Sequence, residues 1–221
     1  MAVTNTDIAN RALSRLSQTA ITSIDAPYTV EKLCKSHFES VRQQLLRSHP
    51  WNFALRREPL GQRNDQPRFG PRFEYQLPPG YIGAISAFAD LEGRCKIDRF
   101  DIENGFLMTD HEEVYLLYVE DKIDPTTWDA SFTEGVVLLL ASRICVPITG
   151  DPVFAQSLLS ELEQVVMPKA MLYNAREDMS NENSPVSQFV NGATINRVHQ
   201  SIFGYGWVGG YDLSNVNQNF Y

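Results

Sequence analysis

The chain has 221 residues, a formal charge of −8 and 21% charged side chains, with a mean hydropathy of −0.26. A chain of this size buries about 70% of its unfolded surface, enough for one core and an accessory layer. No run approaches the ~18 apolar residues of a membrane span, and Met1-Ala2-Val3-Thr4 opens no basic, apolar leader, so a soluble, membrane-free protein is expected.

In chain order, the first element is a helix capped by Asn5 or Thr6, with Ile8, Ala9, Ala12, Leu13 and Leu16 on one face and an end near Gln18. Asp25 and Pro27 suit the start of a second helix, an acidic cap and a proline in the first turn. Val30, Leu33, Cys34, His37, Phe38, Val41 and Leu45 then recur at helical steps until Pro50 ends the pattern. From Trp51 the period changes to two. Trp51, Phe53 and Leu55 alternate with Asn52, Ala54 and Arg56, predicting a strand, and a turn-rich loop runs from Pro59 to Pro71.

Phe73 to Leu77 and Tyr81 to Ala89 are further alternating runs. Asn104-Gly105, between Ile97–Glu103 and Phe106–Thr109, supplies the two positive φ angles of a two-residue hairpin turn. Val114 to Val119 is apolar on both faces, the mark of a central strand. Together these runs predict an antiparallel β unit of about six short strands.

Helix returns after Pro125. Asp129, or Ser131 with Glu134 as a capping box, opens a third helix that is apolar nearly all round and is stopped by Pro147 and Gly150. Asp151-Pro152 opens a fourth, with Phe154, Leu158, Leu159, Leu162, Val165 and Val166 on one face, a kink or break at Pro168, and helical composition to about Met179. The expected fold is α+β: an antiparallel helical bundle from both ends of the chain (1–50 and 126–180), an inserted antiparallel β domain (51–125) and an extended C-terminal interaction arm (181–221). The arm's 41 residues carry Glu182, Arg197, His199 and Asp212 amid many Asn, Ser and Gly, too few apolar groups to offset their own ordering entropy.

Signals for chemistry are weak. Cys34, Cys95 and Cys145 are far apart and flanked by apolar residues, which predicts buried thiols in a reducing compartment. Gly204-Tyr205-Gly206-Trp207-Val208-Gly209 spells a dinucleotide loop but has no helical pattern after it to receive a pyrophosphate. His111-Glu112-Glu113 lacks a second histidine at ligand spacing. His37 and His49 read as structural histidines, and Asp101 and Glu103 as solvated charge on one strand face. No catalytic residue, cofactor or metal is assigned.

Charge is uneven along the chain. Arg42, Arg47, Arg56, Arg57, Arg63, Arg68 and Arg72 face only two acids in their stretch, whereas Asp90 to Asp124 holds eleven acids against four bases. Two solvated surfaces would account for this. So would a basic face of one copy meeting an acidic face of the next, as head-to-tail rings require.

The residues Asn10-Arg11-Ala12-Leu13-Ser14-Arg15-Leu16, Ile21-Thr22-Ser23-Ile24, Cys34, Val41-Arg42, Leu45-Leu46-Arg47-Ser48-His49-Pro50-Trp51-Asn52-Phe53-Ala54, Arg57 and Phe73-Glu74-Tyr75-Gln76-Leu77-Pro78 form a pattern. It resembles the tail tubular protein A family, the head-to-tail adaptors of short-tailed bacteriophages. Leu139 to Asp151 looks like a second signature of that family, with Ile148 where leucine is usual. The match spans roughly residues 5 to 180, and His-Pro-Trp-Asn-Phe-Ala is its most specific part.

The resemblance implies a non-enzymatic virion protein of the phage tail or neck, made in the host cytoplasm. It implies a homo-oligomeric ring, usually a dodecamer, docked between the portal protein and a tail nozzle of the tail tubular protein B kind. Genomic DNA would pass through the ring without specific binding, and a net negative chain suits a passage that repels phosphates. The candidate interface residues are Arg56, Arg57, Asp98 and Asp101 for the charged contact, and Phe203, Tyr205, Trp207, Tyr211, Phe220 and Tyr221 for the arm. A neck or tail-completion protein of another phage type is the alternative, and a small-ligand-binding or enzymatic domain a more distant one.

Overall fold

The computed structural model describes residues 3–63 and 69–178. The fold is α+β, with helices toward both ends of the described chain and two three-stranded antiparallel sheets between them.

Helix α1 (Asn5–Arg15) is capped by Thr4, just ahead of the expected cap. The Thr4 hydroxyl accepts the Asp7 amide at 3.2 Å and the Asp7 carboxylate accepts the Thr4 amide at 2.9 Å, so two end donors are satisfied reciprocally. Ser17, in the left-handed region at φ 56°, turns the chain back. The link that follows lies along α1. Asn10 donates to the Ile21 carbonyl at 3.0 Å and accepts the Ile21 amide at 2.7 Å, as a strand neighbour would. Helix α2 (Thr29–Ser48) starts later than Asp25-Pro27 suggested and has no side-chain cap, the Asp25 carboxylate being paired with Lys35 at 2.8 Å.

The strand expected from Trp51 begins at Leu55. Asn52–Ala54 form one 3₁₀ turn before β1 (Leu55–Pro59). Trp51 and Phe53 alternate in sequence, yet both rings meet Phe132, at centroid distances of 5.0 and 5.1 Å. Period two here comes from a tight turn feeding one aromatic cluster, not from a pleat.

The remaining strands are β2 (Phe73–Gln76), β3 (Tyr81–Phe88), β4 (Asp101–Glu103), β5 (Phe106–Thr109) and β6 (Tyr115–Glu120). They pair in the orders β1-β6-β3 and β2-β5-β4. Asn104 (φ 49°) and Gly105 (φ 81°) make the β4–β5 turn in the conformation their pairing predicts. Strand β4 is shorter than expected because Ile97 is buried elsewhere, its amide donating to the Ala87 carbonyl at 2.8 Å. Strand β6 is central, and its two-sided apolarity has a specific cause. Leu116 and Tyr118 enter a core with Tyr75, Ile97 and Leu107, whereas Val119 enters the core of the helices.

Helix α3 (Ala130–Thr149) packs against both α1 and α2. Asp129 caps it, accepting the Ser131 amide at 2.7 Å; Glu134, expected in a capping box, instead meets Arg11 and Arg15. At 20 residues, with a best-window mean hydropathy of 1.5, α3 is long and apolar enough to cross a membrane, contrary to the reading of the sequence, although 67% of that window is buried in the fold. Pro147 does not stop it. So late in the helix, a missing N–H frees only the carbonyl of exposed Arg143, and the chain turns at Gly150 (φ 71°), which donates to the Val146 carbonyl at 2.9 Å. On the side of α3 that meets α2, a Cβ on Gly135 would stand 2.7 Å from Leu45 Cδ2.

The Asp151 carboxylate caps α4 (Pro152–Glu161), accepting the Val153 and Phe154 amides at 2.9 Å each. A π turn over Leu162–Val166 leads into α5 (Met167–Asp178). The buried residues of this run are Ala155, Leu158, Leu162, Met167, Ala170 and Asn174. Their spacing is helical except for the longer step from Leu162 to Met167, which falls on the π turn. There the wider bonding carries the buried stripe across one extra residue. A regular helix had put Phe154 and Val165 on the buried face; both are exposed. Pro168 lies inside the first turn of α5, and the α-helix is interrupted ahead of it, at Leu162–Val166, rather than at Pro168 itself.

Candidate functional site

Strand β1 carries the two basic interface candidates. Its register sets Arg56 opposite Tyr118 and Arg57 opposite Leu117, and strand alternation turns the two side chains to opposite faces. Both residues are exposed. Arg56 Nη1 donates to Glu120 Oε1 at 2.6 Å, with Nε 3.8 Å from Glu58 Oε2. Glu120 also accepts from Lys122, and that contact, ahead of Arg56, holds its carboxyl below the usual range. The Tyr118 hydroxyl donates to Glu58 at 3.0 Å, and its phenol is pushed up to about 12 by burial first and Glu58 second. Arg56 therefore belongs to a strip of matched charge. Arg57 has no ion pair among the described residues.

Asp98 follows the buried Ile97, and Asp101 opens β4 opposite Met108. Both are exposed and unpaired among the described residues. The structure thus brings Arg56 and Arg57 together on one sheet and Asp98 and Asp101 beside an edge of the other, with no ion pair between the groups within one chain. At the start of β6, Glu113 foremost, with Glu92 and Asp90 behind it, pushes the Tyr115 phenol up, so these acids gather in space as well as in sequence. Phe203, Tyr205, Trp207, Tyr211, Phe220 and Tyr221 lie outside the described residues.

The basic surplus read from the sequence shrinks on folding. Arg42 is matched by Asp121, Arg56 by Glu120, and Arg63 by Glu74 at 3.4 Å, with Arg63 also 5.0 Å above the Phe106 ring. Asp121 and Glu120 lie far from their arginines in the chain, so a count along the sequence misses the neutralisation. Cys34 and Cys145 are buried as expected, but Cys95 is exposed on a turn whose Asp90 carboxylate accepts the Arg94 and Cys95 amides at 3.0 and 2.7 Å.

The His-Pro-Trp-Asn-Phe-Ala string ties four elements together. The Trp51 indole N–H and the Ser48 hydroxyl both donate to the Leu45 carbonyl, at 2.9 and 2.7 Å, satisfying an end carbonyl of α2. Burial pushes His49 down to about 4, so its ring is neutral and Nε2 accepts the Asn174 side-chain N–H at 2.8 Å, reaching α5. Asn52 donates to Glu177 at 2.9 Å, also on α5, and Phe53 packs on Phe132 of α3. Sequence reading marked the string as specific but did not assign these contacts.

A second polar site, not foreseen, lies between α1 and α3. An open groove of about 570 Å³ is lined by Asp7, Asn10, Arg11, Ser14, Arg15 and Glu134, with Val137. Glu134 takes Arg11 at 2.7 Å and Arg15 at 2.5 Å, and Arg15 reaches Glu161 at 3.3 Å. The four-residue spacing of Arg11 and Arg15 was the available signal. With both guanidinium groups already on carboxylates, the groove reads as an interhelical clamp. The chain matches no model of a known protein family and none of the curated proteins compared.

Proposed function

We propose that this chain is a subunit of a ring-forming head-to-tail adaptor of a short-tailed bacteriophage, joining the portal to the tail nozzle and forming part of the conduit through which DNA leaves. The ring is a homo-oligomer, a dodecamer as the resemblance implies, with no enzymatic role and no cofactor. In this reading the helices of both chain ends form the antiparallel bundle, the sheets are the inserted β domain, and residues 181–221 are the extended interaction arm.

The observation that carries the reading is where the resemblance falls. Asn10 and Ile21 strap the first link to α1, and the string from His49 to Ala54 fastens α2 to β1, α3 and α5. These are residues that hold an architecture, as a signature of a structural subunit should. Unpaired Arg57 against unpaired Asp98 and Asp101 supports a head-to-tail contact between copies, which places different surfaces of one subunit against each other around the ring.

Mass measurement and electron microscopy of the protein, alone and mixed with portal protein, test the proposal. A closed ring in either preparation is the expected result. A strict monomer in the presence of portal overturns it.

A further inference from the structure

The helical run α4–α5 turns its buried stripe inward through Ala155, Leu158, Leu162, Met167 and Ala170, and this leaves an outer side with an unusual composition. Val153 is 78% exposed, and Phe154, Val165, Leu172 and Tyr173 are exposed with it. From Pro152 to Pro168 every exposed side chain is uncharged, in a protein with 21% charged residues. Glu161 and Glu163 are half-buried, and Glu161 is turned to Arg15. Beyond Pro168, exposed Lys169, Arg176 and Glu177 bring charge beside Leu172 and Tyr173, so the uncharged part of this side runs from Pro152 to Pro168. An uncharged stretch with large apolar side chains is a surface made for contact.

We infer that this outer face of α4–α5 is the docking site of the chain's own C-terminal segment around Phe203-Gly204-Tyr205-Gly206-Trp207. The two surfaces match in chemistry. Residues 181–221 hold two acids and one arginine but seven aromatics, so docking them on the uncharged stretch from Pro152 to Pro168 strips water from almost no charge. Phe203, Tyr205 and Trp207 alternate with glycines, so in an extended strand the three rings share one side at about 7 Å spacing. The uncharged stretch from Pro152 to Pro168 is about 24 Å long, enough for such a comb. Reach is sufficient as well. Twenty-four residues lie between Asp178 and Phe203, and the link spans up to about 85 Å. The inference does not depend on the ring: the segment comes from the same chain or from a neighbouring copy, and the face it covers is the same.

Amide hydrogen exchange on the full chain tests this, comparing the wild type with the double variant Val165→Asp and Leu172→Asp, both at exposed positions. The expected result is exchange in residues 200–210 slowed about tenfold relative to an unstructured segment in the wild type, and loss of that slowing in the variant with helix content unchanged. Trp207 gives an independent readout, since Trp51 and Trp128 are buried. Acrylamide quenching attributable to Trp207, assigned with Trp207→Phe, should rise in the double variant. Unprotected 200–210 amides in the wild type, or protection that survives both aspartates, overturns the inference. So does a change of oligomeric state in the variant with the 200–210 amides unaffected, which would show a second copy on this face instead. Ring formation can fail with the docking intact, so the two proposals fail separately.

Discussion

Arg42 and Asp121, 79 residues apart in the chain, meet through two contacts of 2.9 Å with side chains only 6% and 11% exposed. Gln43 adds a third bond to the same carboxylate at 3.1 Å, and the Asp121 amide donates to the Gly80 carbonyl at 2.7 Å. A residue of α2 is thereby fixed to the chain just beyond β6, where helices and sheets adjoin. Removing one partner strands the other charge in a dry site. Arg42→Ala or Asp121→Ala should each cost about 3–5 kcal/mol in urea unfolding, while Arg42→Met combined with Asp121→Leu should cost less than either single change.

His49 makes stability depend on pH. Its folded value of about 4 lies below the ordinary 6.5, so between these values the unfolded chain takes up a proton that the folded chain refuses. Stability falls as pH drops from about 6.5, and the loss from this group approaches about 3 kcal/mol near pH 4. His49→Gln should flatten the urea midpoint across that window, compared at pH 7.5, 6 and 4.5.

Gly135 of α3 faces Leu45 of α2. Alanine there gains about 1 kcal/mol of helix propensity but drives its methyl group into Leu45, and overpacking costs about 1–3 kcal/mol. Thermal unfolding of Gly135→Ala should show a net loss of about 1 kcal/mol. Leu45→Val should relieve part of it, so the double variant is less destabilised than the sum of the two.

The charged contact proposed between copies should rest more on Arg57 than on Arg56, because Arg56 already holds Glu120. Reversing Arg57 to Glu should weaken assembly, with partial rescue by Lys at Asp98 and Asp101. Native mass spectrometry at two salt concentrations measures both effects, and the wild-type ring should loosen as salt rises.

Much of the fold was legible because the patterns were strong. The helical recurrence from Val30 to Leu45, the Asn104-Gly105 turn and the double-sided apolarity of β6 each have one simple structural solution. The failures share a cause, which is that a local pattern was decided by distant partners. Trp51 and Phe53 mimic a strand because Phe132 draws both rings to one place. Glu134 has the spacing of a capping box, but Arg11 and Arg15 claim it. Of the interface candidates, exposure and lack of pairing agree for Arg57, Asp98 and Asp101; the matching of Arg56 arises only when β1 is laid beside β6.

Cysteine reactivity follows from the same contrast. Cys95 should react with a thiol reagent in the folded protein, whereas Cys34, whose thiol burial pushes up to about 11, and buried Cys145 should react only on unfolding. Mass spectrometry of the labelled protein with and without urea reads this directly.

The π turn between α4 and α5 also sets how the molecule bears changes of length. Because the step from Leu162 to Met167 is one residue longer than a regular helix needs, the surplus is confined to a single loop of backbone. Every residue before and after it keeps its bearing toward core or solvent. A deletion or insertion elsewhere in the run would swing one half of the helix through about a quarter turn against the other. At Leu162–Val166 the loss of one residue would leave both halves aligned, making this turn the helix's point of slack, where the chain can change in length while its two faces stay in register.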